Sequence, residues 1–110
     1  MNTFDHLVCE VVARIPEGRV TTYGAIAKAL GKDRSSRLVG WILNRQLAAG
    51  LPAHRVVNRN GLLTGRIHFD PPSAMEDRLK AEGVQVQQNK VVRFQELFWD
   101  PAVELLKEWK

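Results

Sequence analysis

Only four residues, Gly31-Lys32-Asp33-Arg34, separate two short amphipathic patterns, and that spacing constrains the fold more than any other feature of the chain. Thr21 and Thr22 can cap a helix whose apolar face carries Ile26, Ala27 and Leu30, with Gly31 suited to its left-handed end. Ser35 or Ser36 caps the next helix, which places Leu38, Val39, Ile42 and Leu43 on one face and ends near Leu47. Two short helices joined by a tight glycine-containing turn form a helix-turn-helix. Upstream, Phe4, Leu7, Val8, Val11 and Val12 predict an amphipathic helix over residues 3–14, stopped by Pro16-Glu17-Gly18.

Downstream, Val56-Val57 and Leu62-Leu63 flank Asn58-Arg59-Asn60-Gly61, the pattern of a hairpin closed at Asn-Gly. A helix-turn-helix followed by a hairpin describes a winged helix. Asp70-Pro71-Pro72-Ser73 opens a helix that runs through Glu82 and stops at Gly83. Val84/Val86 and Val91/Phe94 around Asn89-Lys90 predict a second hairpin, and Pro101–Trp109 a last helix with Val103, Leu106 and Trp109 inward. The fold class is mainly α with small β-hairpins, and 110 residues suit a single domain spanning 1–110.

Charge adds a functional direction. Residues 1–68 hold ten basic and four acidic side chains, whereas residues 69–110 hold six basic and eight acidic. A basic first part attracts phosphate backbones, and Arg34, Arg37 and Arg45 would face nucleic acid from the third helix. A small helical domain that binds protein remains the competing reading. No apolar run is long enough for a membrane span, and Met1–His6 lacks the look of a signal peptide. The lone Cys9 excludes an internal disulfide, fits a reduced cytoplasmic setting (nucleoid-associated in a prokaryote) and reads as a small core residue. His6, His54 and His68 lack ligand spacing, so no metal and no cofactor is expected.

The segment Pro52-Ala53-His54-Arg55-Val56-Val57 narrows the choice. With Ile15-Pro16-Glu17-Gly18-Arg19-Val20-Thr21-Thr22-Tyr23-Gly24-Ala25-Ile26-Ala27, Leu30-Gly31, Arg37-Leu38-Val39-Gly40 and Glu82-Gly83, it resembles the O6-alkylguanine-DNA alkyltransferases. The chain is more similar still to their non-enzymatic relatives, the alkyltransferase-like proteins. The resemblance spans about residues 4–86 and leaves 87–110 as an extra hairpin and helix. It implies a winged-helix-like domain of the alkyltransferase carboxyl-terminal type.

In the transferases the signature is Pro-Cys-His-Arg, whose cysteine takes the alkyl group and is consumed; here Ala53 stands in its place. A methyl group has no lone pair and cannot become a thiolate. Transferases carry a Gly-Tyr pair after the signature hairpin, whereas this chain has Gly65-Arg66, like the alkyltransferase-like proteins.

The resemblance also implies roles. Tyr23 crowds the phosphate beside the target nucleotide, and Arg37 fills the space that the extruded base leaves. Without it, Tyr23 reads as a packing residue and Arg37 as a solvated arginine. Thr21, Ser35, Ser36 and the helix N-termini would hold phosphates. Ala53, the backbone around Val56, Val57 and Asn58, and Arg66 would wall the pocket for the base, with Arg66 against the O6 substituent. His54 and Glu82 match the pair that activates the cysteine in the enzymes and are expected as a structural remnant, with Arg55 as the loop's anchor. Asn44 is a weak match to the family's hinge asparagine, its spacing to the Pro-Ala-His-Arg segment being about one residue off, and Trp41 reads as core.

The expected function is therefore binding of O6-alkylguanine in double-stranded DNA by base flipping, without catalysis. The family implies shielding the lesion or passing it to nucleotide excision repair proteins; the protein would be a monomer. Rival readings are a winged-helix transcription factor, and an enzyme that transfers or hydrolyses the alkyl group through another residue.

Overall fold

The computed structural model describes residues 3–45 and 50–108. Helix α1 spans Thr3–Ala13 and buries Val8, Val11 and Val12. Its end tightens through Arg14 N–H to the Val11 carbonyl (3.1 Å) and Ile15 N–H to the Val12 carbonyl (3.2 Å) before Pro16. Leu7, expected on the buried face, is 38% exposed. It sits at the margin of that face, in a shallow groove with Leu30 and Leu105.

The two-residue strand β1 (Thr21–Thr22) runs directly into helix α2 (Tyr23–Ala29), and Thr22 Oγ1 accepts the Ala25 N–H at 3.0 Å as the N-cap. Gly31, at φ +76°, ends α2 in a Schellman turn: its N–H reaches the Lys28 carbonyl (3.0 Å), and Lys32 N–H reaches the Ala27 carbonyl (2.9 Å). Helix α3 then spans Ser36–Arg45 and buries Val39, Ile42 and Leu43. The expected end near Leu47 lies outside the described residues. Leu38, expected on the buried face, is 43% exposed, because the stripe facing α1 and α2 narrows to the other three positions.

The expected first hairpin does not form as drawn. Strand β2 (Val56–Val57) pairs in parallel with β1, Thr21 opposite Val56 and Thr22 opposite Val57, so α2 and α3 are the crossover between them. The reason is burial. Val56 and Val57 point to opposite faces and both have 0% exposure. Val56 packs with Val8, Ile26 and Ile42 in one apolar cluster, while Val57 packs with Ala53, Met75 and Leu79 in a second. A wing open to solvent on one side could not bury both.

The Asn58–Gly61 turn is present, with Gly61 N–H to the Asn58 carbonyl at 2.9 Å, but it hands the chain to another partner. Leu62 bridges Lys90, and Leu63 N–H reaches the Asn89 carbonyl at 2.9 Å. The second hairpin forms with its turn one residue earlier than expected: β3 (Val86–Gln87) and β4 (Lys90–Val91) are antiparallel around Gln88 and Asn89, both at positive φ, and Lys90 belongs to the strand. Helix α4 (Ala74–Ala81) closes the second cluster through Met75 and Leu79 and ends at Glu82 and Gly83.

Phe94, expected in the hairpin, instead starts a short helix, α5 (Phe94–Leu97). The following segment is tied to the family-like part of the chain. Val20 N–H donates to the Leu97 carbonyl (3.1 Å), Trp99 N–H to the Val20 carbonyl (2.7 Å), and the Arg19 guanidinium to the carbonyls of Leu97 and Phe98. Trp99 is buried in the first cluster. Helix α6 (Pro101–Glu108) buries Pro101 and Leu105, one turn apart, against α2. Val103 lies off that line and is 49% exposed, contrary to expectation; the placements expected for Leu106 and Trp109 concern side chains outside the described ones. Among the described residues, no helix is long and apolar enough to cross a membrane.

Candidate nucleic-acid interface

The N-cap at Thr22 puts Tyr23 at the first position of α2, where its ring packs over the backbone of α3. A Cβ on Gly40 would lie 3.5 Å from two Tyr23 ring carbons, an ordinary van der Waals contact, which places the ring beside this position of α3. The phenol end sits beside Gly65 and bonds the Thr64 side chain. Burial pushes the Tyr23 phenol up, outweighing the lowering by Thr64, so the group stays neutral and does not repel a phosphate.

Tyr23 lies in the wall of an open concavity of about 430 Å3, together with Ser36, Arg37, Gly40, Trp41, Asn44, Thr64, Gly65 and His68. Of the expected DNA-contacting residues, this concavity unites Tyr23, Arg37 and Ser36. Ser35 is half-buried at the mouth of α3, and its carbonyl accepts the Val39 N–H at 3.0 Å. Thr21 does not fit its expected role. It has 0% exposure in the β1–β2 pair, and its buried hydroxyl finds no hydrogen-bond partner among the described residues, so a phosphate cannot reach it. Trp41, expected in the core, is 57% exposed, because the buried stripe of α3 passes through Val39, Ile42 and Leu43.

The Pro52–Val57 segment is a single turn of 3-10 helix (Ala53–Arg55) leading into β2. His54 Nε2 lies 2.8 Å from Glu82 Oε2. Arg55 grips the same carboxylate with Nε to Oε1 (3.0 Å) and Nη2 to Oε2 (2.6 Å), while its Nη1 donates to the Ile15 carbonyl at 2.7 Å. Gly18 N–H adds a fourth donor at 3.2 Å to Oε1. Burial opposes ionisation of Glu82, but the bonds from Arg55, His54 and Gly18 outweigh it and hold the carboxyl at about 2. For His54, burial is the larger influence and lowers its pKa despite the carboxylate. The imidazole is therefore neutral near pH 7. Its Nε2–H bonds Glu82, and its Nδ1 lone pair is buried with no partner among the described residues.

The side chains expected to wall a base pocket do not gather around one cavity. Val56 and Val57 are wholly buried, and Ala53 is 7% exposed. Asn58 Oδ1 is taken by its own turn, accepting the N–H groups of Asn60 and Leu62, each at 2.9 Å. Arg66 donates Nη1 to the Leu63 carbonyl at 3.1 Å and lines a different concavity with Ser73, Glu76, Asp77 and Asn89. Asn44, Thr64 and His68 belong to the concavity but carried no clear signal in the sequence, since residues 64–68 come to α3 only through the fold. Cys9 is half-buried at the edge of α1 rather than in the core, and burial pushes its thiol up.

Comparisons with known proteins agree with this architecture. The chain is 44% identical over 103 residues to the DNA base-flipping protein of Escherichia coli (strain K12), covering 90% of this chain and 76% of that one. It is 32% identical over 106 residues to alkyltransferase-like protein 1 of Schizosaccharomyces pombe, covering 92% and 98% respectively. The crystal structure of S. pombe Atl1 in complex with damaged DNA containing O6-carboxymethylguanine superposes with a TM-score of 0.80, covering 90% of this chain and 96% of that one at 32% identity. Residues 3–84 match the model of the 6-O-methylguanine DNA methyltransferase DNA-binding domain, and the chain belongs to that family.

Proposed function

We propose that this protein binds O6-alkylguanine in double-stranded DNA, turns the modified base out of the stack and leaves the alkyl group where it is. The observation that carries the reading is Ala53: the one position that would need a sulfur nucleophile holds a methyl group, while the framework around it is intact. Cys9, the one thiol in the sequence, stands on α1, outside the Tyr23–Arg37 concavity, and burial favours its protonated form.

Extrusion of a base costs a few kcal/mol, and least where pairing is already weakened, as it is opposite an O6-alkylated guanine. Tyr23 and Arg37 face one concavity from α2 and α3, which suits a ring that crowds the backbone and a guanidinium that fills the vacated stack. Ser35 and Ser36 lie where phosphates would pass, and Ala53, the backbone around Val56, Val57 and Asn58, and Arg66, once it swings from its present concavity, would wall the base in this reading. His54 and Glu82 act as a brace. The base-flipping and lesion-bound relatives support this, as does the basic first part of the chain. A monomer covering residues 1–110 would shield the lesion or mark it for nucleotide excision repair.

Mobility shifts at matched salt, with duplexes that differ only by one O6-methyl group, test the reading. Tighter binding of the lesion duplex, with the methyl group still on the DNA by mass spectrometry, is the expected result. Equal affinity would defeat lesion recognition. Methyl transfer to protein, or a repaired guanine without an adduct, would show an enzyme. Strong discrimination among undamaged sequences would favour a transcription factor.

A further inference from the structure

Arg37, Trp41 and Arg45 follow one another at intervals of four along α3, so they form a single stripe. Trp41 is 57% exposed and is the most exposed aromatic side chain among the described residues' large apolar groups. It is also held in place. The Arg45 guanidinium lies over its ring, 4.0 Å from the centroid, and Arg45 Nη2 is in turn 3.1 Å from Oδ2 of the buried Asp5 on α1. An indole fixed in this way loses little conformational freedom when a partner arrives.

We infer that Trp41 is a second apolar contact to the duplex, packing against the sugar wall and base edges of the minor groove beside the point of extrusion. This rests on the function proposed above and extends it to a residue outside the motifs that carry the family resemblance. Two observations identify DNA as the occupant. The ring shares its concavity with Tyr23, Arg37 and Asn44, so it continues the proposed interface. The helix itself is basic: α3 carries Arg37 and Arg45 and no acidic residue, and Asp5 of α1 pairs with Arg45 at its far end. A cationic stripe interrupted by one flat apolar ring matches a groove with anionic rims and an apolar sugar wall, and wedging side chains of this kind widen and bend the duplex.

The test uses the full chain with Trp41→Ala and Trp41→Phe, folding being checked by circular dichroism. Because the ring is mostly exposed, both variants should fold. Trp41→Ala should bind lesion and undamaged duplexes each about tenfold more weakly, a loss of about 1.4 kcal/mol. In a Trp109→Phe background, which leaves Trp41 and the buried Trp99 as emitters, tryptophan emission should become shielded from acrylamide on adding duplex, and adding Trp41→Phe should remove that protection. Wild-type affinity in Trp41→Ala, or protection that persists in Trp41→Phe, would overturn the inference. Failure of the wild type to prefer the lesion would instead sink the proposed function, since the effect of Trp41 is also read on undamaged duplex.

Discussion

His54 Nε2 and Glu82 Oε2, 28 positions apart in the chain, lie 2.8 Å from each other, and Arg55 and Gly18 bond the same carboxylate. One carboxylate thus ties the end of α4 to the Pro52–Val57 turn and to the loop after α1. The knot holds these three stretches of backbone together. Glu82→Gln keeps the shape but removes the charge and one acceptor, leaving the largely buried Arg55 guanidinium with only neutral oxygens, the new amide carbonyl and the Ile15 carbonyl, in place of the carboxylate. The expected cost, read by urea unfolding, is about 3 kcal/mol. A cost below about 1 kcal/mol would mean that the network is ornamental.

The same residues set the response to acid. Glu82 falls from its ordinary 4.5 to about 2 on folding, so its contribution is full above pH 4.5 and disappears as pH falls towards 2. At about 1.4 kcal/mol per pH unit, this amounts to about 3 kcal/mol. His54 is lowered from 6.5, chiefly by burial, so the unfolded chain takes up its proton first and stability begins to fall below pH 6.5. Thermal midpoints should decline from pH 6.5 downwards and more steeply below 4.5. In Glu82→Gln the lower step should be absent.

Much of this fold is legible in local signals. The Schellman turn at Gly31 and the Thr22 cap each depend on a few adjacent residues and are where the spacing predicts, while the second hairpin forms with its turn one residue early, at Gln88-Asn89. Pairing between Val56-Val57 and Thr21-Thr22 is not local. Asn-Gly correctly marks a turn, but only burial of both valines decides which strand lies alongside. The misplaced side chains have a similar cause. A helical period predicts a stripe, and its width depends on neighbours the sequence does not name, so Leu7, Leu38 and Trp41 lie at or beyond the edge. At the candidate site, Tyr23 and Arg37 are legible through family motifs, and Ser36 through its place at the start of a helix. Thr64 and His68 arrive from a distant segment, and the burial of Thr21 follows from its strand partner.

Gly31 offers a clean test of local backbone conformation. It stands at φ +76° with no atom within 4 Å of where a Cβ would be, so Gly31→Ala meets no steric neighbour and suffers only the left-handed backbone. Stability should fall by about 1 kcal/mol, lowering Tm by roughly 5 °C. DNA affinity measured well below Tm should stay unchanged, because the end of α2 lies away from the Tyr23 concavity.

Arg37→Ala should weaken binding to the lesion duplex more than to undamaged DNA, since the proposed role of the guanidinium begins only when a base has left the stack. Parallel titrations across salt separate this from a plain phosphate contact. A phosphate contact would reduce both affinities alike and lower the salt slope by about 0.9. Equal losses with that change of slope would move Arg37 from the vacated stack to the backbone.

Gly65 controls the same interface from behind. A Cβ there would lie 2.8 Å from Tyr23 Oη, closer than real contacts allow, and Gly65 needs no positive φ, so Gly65→Ala acts through the phenol alone. On the α3 side the Tyr23 ring has room for no more than a Cβ in ordinary contact above Gly40. It must tilt away from Thr64 and into the concavity, displacing the face offered to the DNA backbone. Gly65→Ala should therefore weaken lesion binding about tenfold while costing less than about 1.5 kcal/mol of stability, given that misplacing a positioned group by about 1 Å is enough for such losses. Combined with Tyr23→Phe, which removes the crowded oxygen, most of the lost affinity should return. If Gly65→Ala alone binds as well as the wild type, the position of the phenol does not matter for recognition.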